Sequence, residues 1–177
     1  MSSCCPLFVC HANCCRSVLA RYLYGQLCDN APALSAGLDA GERINDRAER
    51  MLGGWGIDAS AHVPLKLSRD LCMEASALFV MGPSYLHRLV SEHGEDLASK
   101  AYLFADPFTR PASFANGEYK VRDPSFDNRP TSELLKEFGW MRERVQQIRW
   151  ALLGTGRELV PLSDYLELCK TVDPESH

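Results

Sequence analysis

The chain has 177 residues, 46% of them hydrophobic and 24% charged, with a formal net charge of -4. That length suits one ordinary domain, able to bury roughly two thirds of its unfolded surface without metal or disulfide staples, and the composition excludes a disordered or fibrous polymer. The acidic balance speaks against a broad nucleic-acid surface, and no stretch approaches the roughly 18 consecutive apolar residues of a membrane span, so neither nucleic acid nor membrane is expected as a partner.

The cluster Arg142, Arg144 and Arg149 reads as the solvated face of a helix. The N-terminus has no basic n-region, and its apolar run is broken by His11, Asn13 and Arg16, which argues against a secretory signal. A cytoplasmic, reducing location is therefore expected, with the eight cysteines as free thiols rather than a disulfide framework.

In chain order, the apolar run CPLFVC (5–10) predicts a buried strand. From Ser17 onward Val18, Leu19, Tyr22, Leu23 and Leu27 recur at helical spacing, with Ser17 placed to cap or open the first turn. ALSAG (33–37) predicts a second strand, and Asp46 to Trp55 a helix weakened at its end by Gly53 and Gly54. A short helix around Leu67 to Met73 precedes the strand ASALFVM (75–81), and another helix runs from about Tyr85 to Glu92.

AYLFA (101–105) is the fourth apolar run, and Thr131 to Leu153 carries one long apolar helical stripe with Gly139 inside it. The stretch from Asp106 to Pro130 and the tail after Gly154 lack a regular pattern. Strands alternating with helices predict an α/β fold of three layers, α/β/α, around a central four-stranded parallel sheet. Residues 1–155 form the expected domain and 156–177 an extension, with an extra helix around Leu162 to Leu168.

In such folds ligands bind beyond the carboxyl ends of the strands, and the loop CHANCCRS (10–17) lies there. Five residues separate Cys10 from Arg16. A loop closing on a helix N-terminus turns backbone N–H groups toward an anion, and an arginine there adds a planar fork for two oxygens. The same positive environment favours a thiolate at the base of the loop, where Cys10 sits. A thiolate aimed at phosphorus implies a covalent cysteinyl-phosphate later split by water, with no metal and no cofactor. Zinc binding by Cys4, Cys5, Cys10, His11, Cys14 and Cys15 is the competing reading, but the chain lacks the C-x2-C pairs of structural zinc sites.

VCHANCCRS (9–17) resembles the phosphate-binding loop of the low-molecular-weight protein tyrosine phosphatases, V-C-x-G-N-x-C-R-S-P. SAG (35–37), IDASAH (57–62), LFVM (78–81) and RDP (122–124) follow in the order of that family, and the resemblance covers roughly residues 5 to 153. It implies that Cys10 is the nucleophile, that Arg16 binds phosphate and stabilises the transition state, and that Asp123 is the general acid. Ser17 would donate to the thiolate, and Asn13 would hold the loop through contacts to Ser35 and His62. His11, Ala12, Cys14 and Cys15 complete the loop, and Cys15 stands where a second cysteine can guard the nucleophile by a reversible disulfide. Pro124 restricts Asp123, which lies closer to the last helix than the rival pair Asp106-Pro107 and has Phe126 nearby as a ring-packing residue.

Three positions depart from the family pattern. Ala12 replaces a common glycine, at a cost on the order of 1 kcal/mol if positive φ is required there. Val18 replaces a proline, and Ser125 a tyrosine, so that with no aromatic residue in LDAGERIND (38–46) two aromatic walls of the cleft are reduced. The expected substrate is a phosphorylated protein or a small aryl phosphate. A protein-arginine phosphatase of the same fold, with Cys14 in place of threonine, is one alternative, and a slow phosphate-binding or thiol-redox protein is another. Arsenate reductases of this fold need two further cysteines that MGPSYLHRL (81–89) lacks.

Overall fold

The computed structural model describes residues 4–114 and 119–172. Four strands, Pro6–Cys10 (β1), Leu34–Gly37 (β2), Ala77–Val80 (β3) and Ala101–Leu103 (β4), form one sheet in the order β2-β1-β3-β4. Every neighbouring pair is parallel. All five residues of β1 and all four of β3 are buried, which is why these runs show no polar alternation in the sequence.

The helices are Arg16–Leu27 (α1), Asp46–Gly54 (α2), Arg69–Glu74 (α3), Pro83–His93 (α4), Thr131–Glu137 (α5), Trp140–Leu152 (α6) and Leu166–Cys169 (α7). The connection β1-α1-β2 travels one way along the sheet and β3-α4-β4 the other, so right-handed crossovers put α1 and α4 on opposite faces. Helix α6 lies along α1 and completes that layer. The three-layer parallel architecture expected from the sequence is the one observed. Phe8 of β1 joins the layers, with ring centroids 6.0 Å from Tyr24, 5.8 Å from Phe79 and 5.9 Å from Phe104.

Strand order reverses between β1 and β3, which opens a crevice at their carboxyl ends. Helix α1 starts there at Arg16, with Cys15 at the cap position and no side chain capping it. Ser17 therefore opens the first turn rather than capping it, because its hydroxyl is engaged inside the loop. The first N–H groups of α1 keep their bonding capacity for something other than a cap.

The single helix expected over Thr131 to Leu153 is two helices. At the junction Gly139 N donates to Lys136 O at 3.3 Å, a tighter three-residue step, and a Cβ on Gly139 would lie 3.2 Å from that same carbonyl. The arginine face read as solvated is also packed: Arg144 pairs with Asp106 at 3.8 Å, and the Arg149 guanidinium lies 6.0 Å from the Tyr24 ring centroid.

The tail forms a 3-10 turn at Leu162–Asp164 followed by α7, in place of one helix from 162 to 168. It packs against β4 and α4, burying Leu162 and Cys169 completely. Residues 115–118 of the irregular stretch and 173–177 of the extension lie outside the described residues. Leu162→Ala is expected to cost about 3 kcal/mol from the lost methyl groups and the cavity they leave. Thermal denaturation should show Tm lower by about 6–12 °C, since a domain of this size loses about 2–4 °C per kcal/mol. An unchanged Tm would mean that the tail does not contribute to the folded core.

Candidate active site

The loop between β1 and α1 is held by its carbonyls. Leu38 N donates to Cys10 O at 3.1 Å, Asp39 N to His11 O at 2.9 Å, Gly41 N to Ala12 O at 2.8 Å and Asn45 N to Cys14 O at 2.9 Å. The carbonyl of Asn13 accepts from His62 Nε2 at 3.0 Å. Five consecutive carbonyls thus turn outward, to the segment after β2 and to His62. A trans peptide places its N–H opposite its C=O, so the N–H groups of residues 11 to 15 face the inside of the loop. With the uncapped start of α1 they form a concave donor array at the end of β1.

Close approach makes this possible. A Cβ on Gly37 would fall 2.6 Å from His11 O, Ala12 C and Asn13 N, all backbone atoms, so only glycine fits beneath the loop. A Cβ on Gly41 would collide with Cys14 Sγ. The Cys14 thiol fills that space and donates to Ala12 O at 3.2 Å. Ala12 has no positive φ; the left-handed residue is Asn13, at φ 53°. The strain anticipated for alanine at position 12 is absent, because the turn falls on asparagine, which tolerates it better than most side chains.

Cys10 Sγ lies 3.0 Å from Ser17 Oγ, and Asn13 Nδ2 donates to that same Oγ at 2.9 Å. Asn13 Nδ2 occupies one lone pair of Ser17 Oγ and leaves the hydroxyl hydrogen free to turn toward the sulfur. Asn13 Oδ1 accepts from Leu65 N at 2.9 Å. Asn13 and Ser17 are fully buried, and Cys10 is 2% exposed. The expected Asn13 contact to Ser35 is not made: Ser35 Oγ is buried without a hydrogen-bond partner, because the positive φ of Asn13 carries its amide toward Ser17 and Leu65. Burial holds the His62 imidazole below its ordinary pKa despite its bond to Asn13, so the ring is neutral, with Nε2–H donating to Asn13 O and Nδ1 facing Arg21 Nη1 at 3.5 Å.

Arg16 is 5% exposed. Its Nη2 lies 2.8 Å from Asp123 Oδ2 and donates to Tyr85 Oη at 2.9 Å, while Nη1 donates to Val121 O at 3.3 Å. Its Nε is buried with no partner, one donor left over. Asp123 Oδ1 accepts from Ser125 N at 2.9 Å, which bends the chain into a 3-10 turn over Pro124–Phe126. Asp127 anchors that turn: Arg129 and Arg122 hold its carboxyl well below the usual carboxylate range, and both arginines also pair with Glu137 of α5. Asp106 is elsewhere, accepting from Phe108 N at 3.1 Å and facing Arg144.

One cleft brings together Cys10, Arg16, Tyr85, Lys120, Asp123 and Phe126. His11, Ala12, Cys14 and Cys15 also line it. His11 Nδ1 lies 3.8 Å from Asp39 Oδ2 at its edge. Cys15 is 3% exposed, and burial first, then the negative charge of Asp123, pushes its thiol up. Cys14 is half-buried, its thiol also raised by burial. Phe126, 87% exposed, stands at the rim one position after Ser125, so one aromatic wall is shifted rather than lost. Tyr85, Lys120, Gly37, Gly41 and the N–H groups of residues 38–45 were not singled out from sequence. Glycines at the end of a predicted strand and four residues beyond it, facing a strand-loop-helix unit, are the signal that could have found two of them.

A parallel sheet whose central strand ends in a buried cysteine, under a loop of inward N–H groups closed by an arginine at the first turn of a helix, defines the class: a cysteine-loop α/β protein. The chain belongs to the low molecular weight phosphotyrosine protein phosphatase family, whose model matches residues 6–154. It is 35% identical over 77 residues to the low molecular weight protein-tyrosine-phosphatase Ptp of Acinetobacter johnsonii, a match over 42% of this chain and 54% of that protein. The chain thus spans about half the length of the curated relative it matches.

Among solved structures it resembles the Erwinia amylovora tyrosine phosphatase amsI, with a TM-score of 0.65 and 22% identity over 81% of this chain and 89% of that one. It also resembles the arginine phosphatase YwlE of Geobacillus stearothermophilus, with a TM-score of 0.68 and 20% identity over 87% and 98% of the two chains. At these identities the likeness concerns the fold.

Proposed function

We propose that the protein is a metal-independent phosphomonoester hydrolase acting on aryl phosphates, with phosphotyrosine in proteins as the substrate class. The observation that carries this reading is the set of five outward-turned carbonyls, which leaves the N–H groups of residues 11 to 15 converging above Cys10. Such a donor array suits three phosphoryl oxygens in a site shielded from water. The unpartnered Nε–H of Arg16 adds a charged donor to it.

In the first step the Cys10 thiolate, receiving a hydrogen bond from Ser17, attacks phosphorus: a P–S bond forms and the P–O bond to the leaving group breaks. Asp123 supplies the proton that the leaving oxygen needs. Asp123 is Arg16's partner at 2.8 Å, and an incoming phosphoryl dianion competes for the same guanidinium. That exchange frees the carboxyl to carry a proton on the leaving-group side. In the second step water attacks phosphorus, Asp123 takes its proton, the P–S bond breaks, and inorganic phosphate leaves with the thiolate restored.

Phe126 at the rim offers an aryl group of the substrate a face to stack on. For Cys15 the guard role rests on its place in the same cleft as Cys10. A reaction that needs a reduced thiol suits a reducing compartment such as the cytosol. No helix among the described residues is long and apolar enough to cross a membrane.

Asp123→Asn tests the reading. It should slow esters with poor, high-pKa leaving groups by about 10²–10⁴-fold and spare activated aryl phosphates, because only the former need the proton. A uniform loss across leaving groups, or the same pattern from Asp106→Asn, would remove Asp123 from this role.

A further inference from the structure

We infer that Lys120 recognises an acidic group beside the phosphoester, so that preferred protein substrates carry aspartate or glutamate flanking the phosphorylated residue. The inference rests on the phosphatase reading above and concerns the same cleft.

Lys120 lines the cleft with Cys10, Arg16, Asp123 and Phe126. Its position is fixed from two sides. Val121 N donates to Met81 O at 2.8 Å, which ties this segment to the carboxyl end of β3, and Val121 O accepts from Arg16 Nη1 at 3.3 Å. The lysine stem lies against Gly82, where a Cβ would be 3.5 Å from Lys120 Cγ. Sheet, arginine and glycine together fix Lys120 at the wall of the cleft.

That ammonium makes no hydrogen bond or ion pair among the described residues. The other cations around it are committed: Arg16 to Asp123 and Tyr85, Arg122 to Asp127 and Glu137. The carboxylate closest in character, Asp123, already serves Arg16 and Ser125 N. A half-buried charge without a partner carries a desolvation cost that an arriving anion offsets. Burial, and then the positive charge of Arg16, hold the Lys120 ammonium below its ordinary pKa against the opposing pull of Asp123.

The phosphoryl group is not the anion in question. Its oxygens meet the loop N–H groups and Arg16, deep in the cleft, whereas Lys120 is more exposed than Arg16 and lies on the β3 and α4 side. A second negative group on the substrate fits there. On a chain with a net charge of -4, such a local cation also selects acidic segments against a background that repels them.

The experiment compares kcat/KM for two phosphotyrosine peptides that differ only in flanking residues, Asp and Glu against Asn and Gln, at low salt. Wild type, Lys120→Met and Lys120→Arg are assayed, with a small aryl phosphate as a reference for wild type. Wild type should prefer the acidic peptide about tenfold, the worth of one charge-assisted hydrogen bond. Lys120→Met should bring the ratio of the two peptides to about one, and Lys120→Arg should keep most of it. No acidic preference in wild type, or a ratio that survives in Lys120→Met, would overturn the inference. An equal loss on both peptides would show that Lys120 acts on the phosphoryl group instead, which also overturns it. Failure of wild type to turn over the aryl phosphate would show that the phosphatase reading itself is wrong, and the inference falls with it.

Discussion

Cys10→Ser is expected to lower turnover of an aryl phosphate on the order of 10⁴-fold or more, as removal of an essential nucleophile does. The hydroxyl is close to the thiol in size, but it is not ionised near neutral pH and has no base to activate it. Among the described residues Cys10 Sγ has a single hydrogen-bond partner, Ser17, whose own hydroxyl is held by Asn13 and does not accept a proton readily. The loop geometry depends on backbone bonds to residues 38–45 and on His62, none of which involves the sulfur. Binding of phosphate or vanadate should therefore persist in the variant, and Tm should change little. Steady-state kinetics and oxyanion titration check both halves. A rate within tenfold of wild type would mean that the thiol is not the nucleophile.

Arg16→Lys should lower kcat by about 10²–10³-fold, the range found when a charged or preorganised donor is removed from a developing oxyanion. Lysine keeps the charge but not the fork. A single ammonium cannot at once meet Asp123, Tyr85 and Val121 O, contacts that three nitrogen positions of the guanidinium share between them or leave open. Loss of the Val121 contact should also loosen the segment carrying Asp123 and weaken proton donation, so the variant should become more sensitive to the leaving group. Kinetics on a series of aryl phosphates measures this. A variant as fast as wild type would show that charge alone suffices and that the bidentate geometry is irrelevant.

How much of this was legible in the sequence depended on how local each feature is. The strand CPLFVC, the loop and the helix from Ser17 form a contiguous unit, and hydrophobic periodicity marked it, with boundaries within a residue or two of those observed. Cys10 and Arg16 could be found because they lie at its two ends. The loop's support was harder to see, because it comes from elsewhere in the chain: SAGLDAG shows two glycines near a strand end, but not that Gly37 and Gly41 meet atoms of residues 11 to 14.

Asn13 illustrates the same limit. Its place inside the loop was legible, but its partners depend on a φ of 53°, which sends the side chain to Ser17 and Leu65 rather than Ser35. Lys120 and Tyr85 were missed for different reasons. Lys120 lies in a segment without periodicity, and Tyr85 looked like one more apolar position of α4 until Arg16 was seen against its hydroxyl. The split of the last long helix at Gly139 was hidden because the apolar stripe runs through both halves in nearly the same phase.

The central claim is that phosphate passes through a covalent bond to Cys10. The most direct measurement is rapid mixing of the reduced enzyme with an aryl phosphate labelled in its phosphoryl group, acid quench, and mapping of the label by peptide mass spectrometry. The account predicts a transient thiophosphate ester on the peptide containing Cys10, formed with a burst of the aryl alcohol and absent from Cys10→Ser. Multiple turnovers without any label on Cys10, or label on another residue, would contradict it.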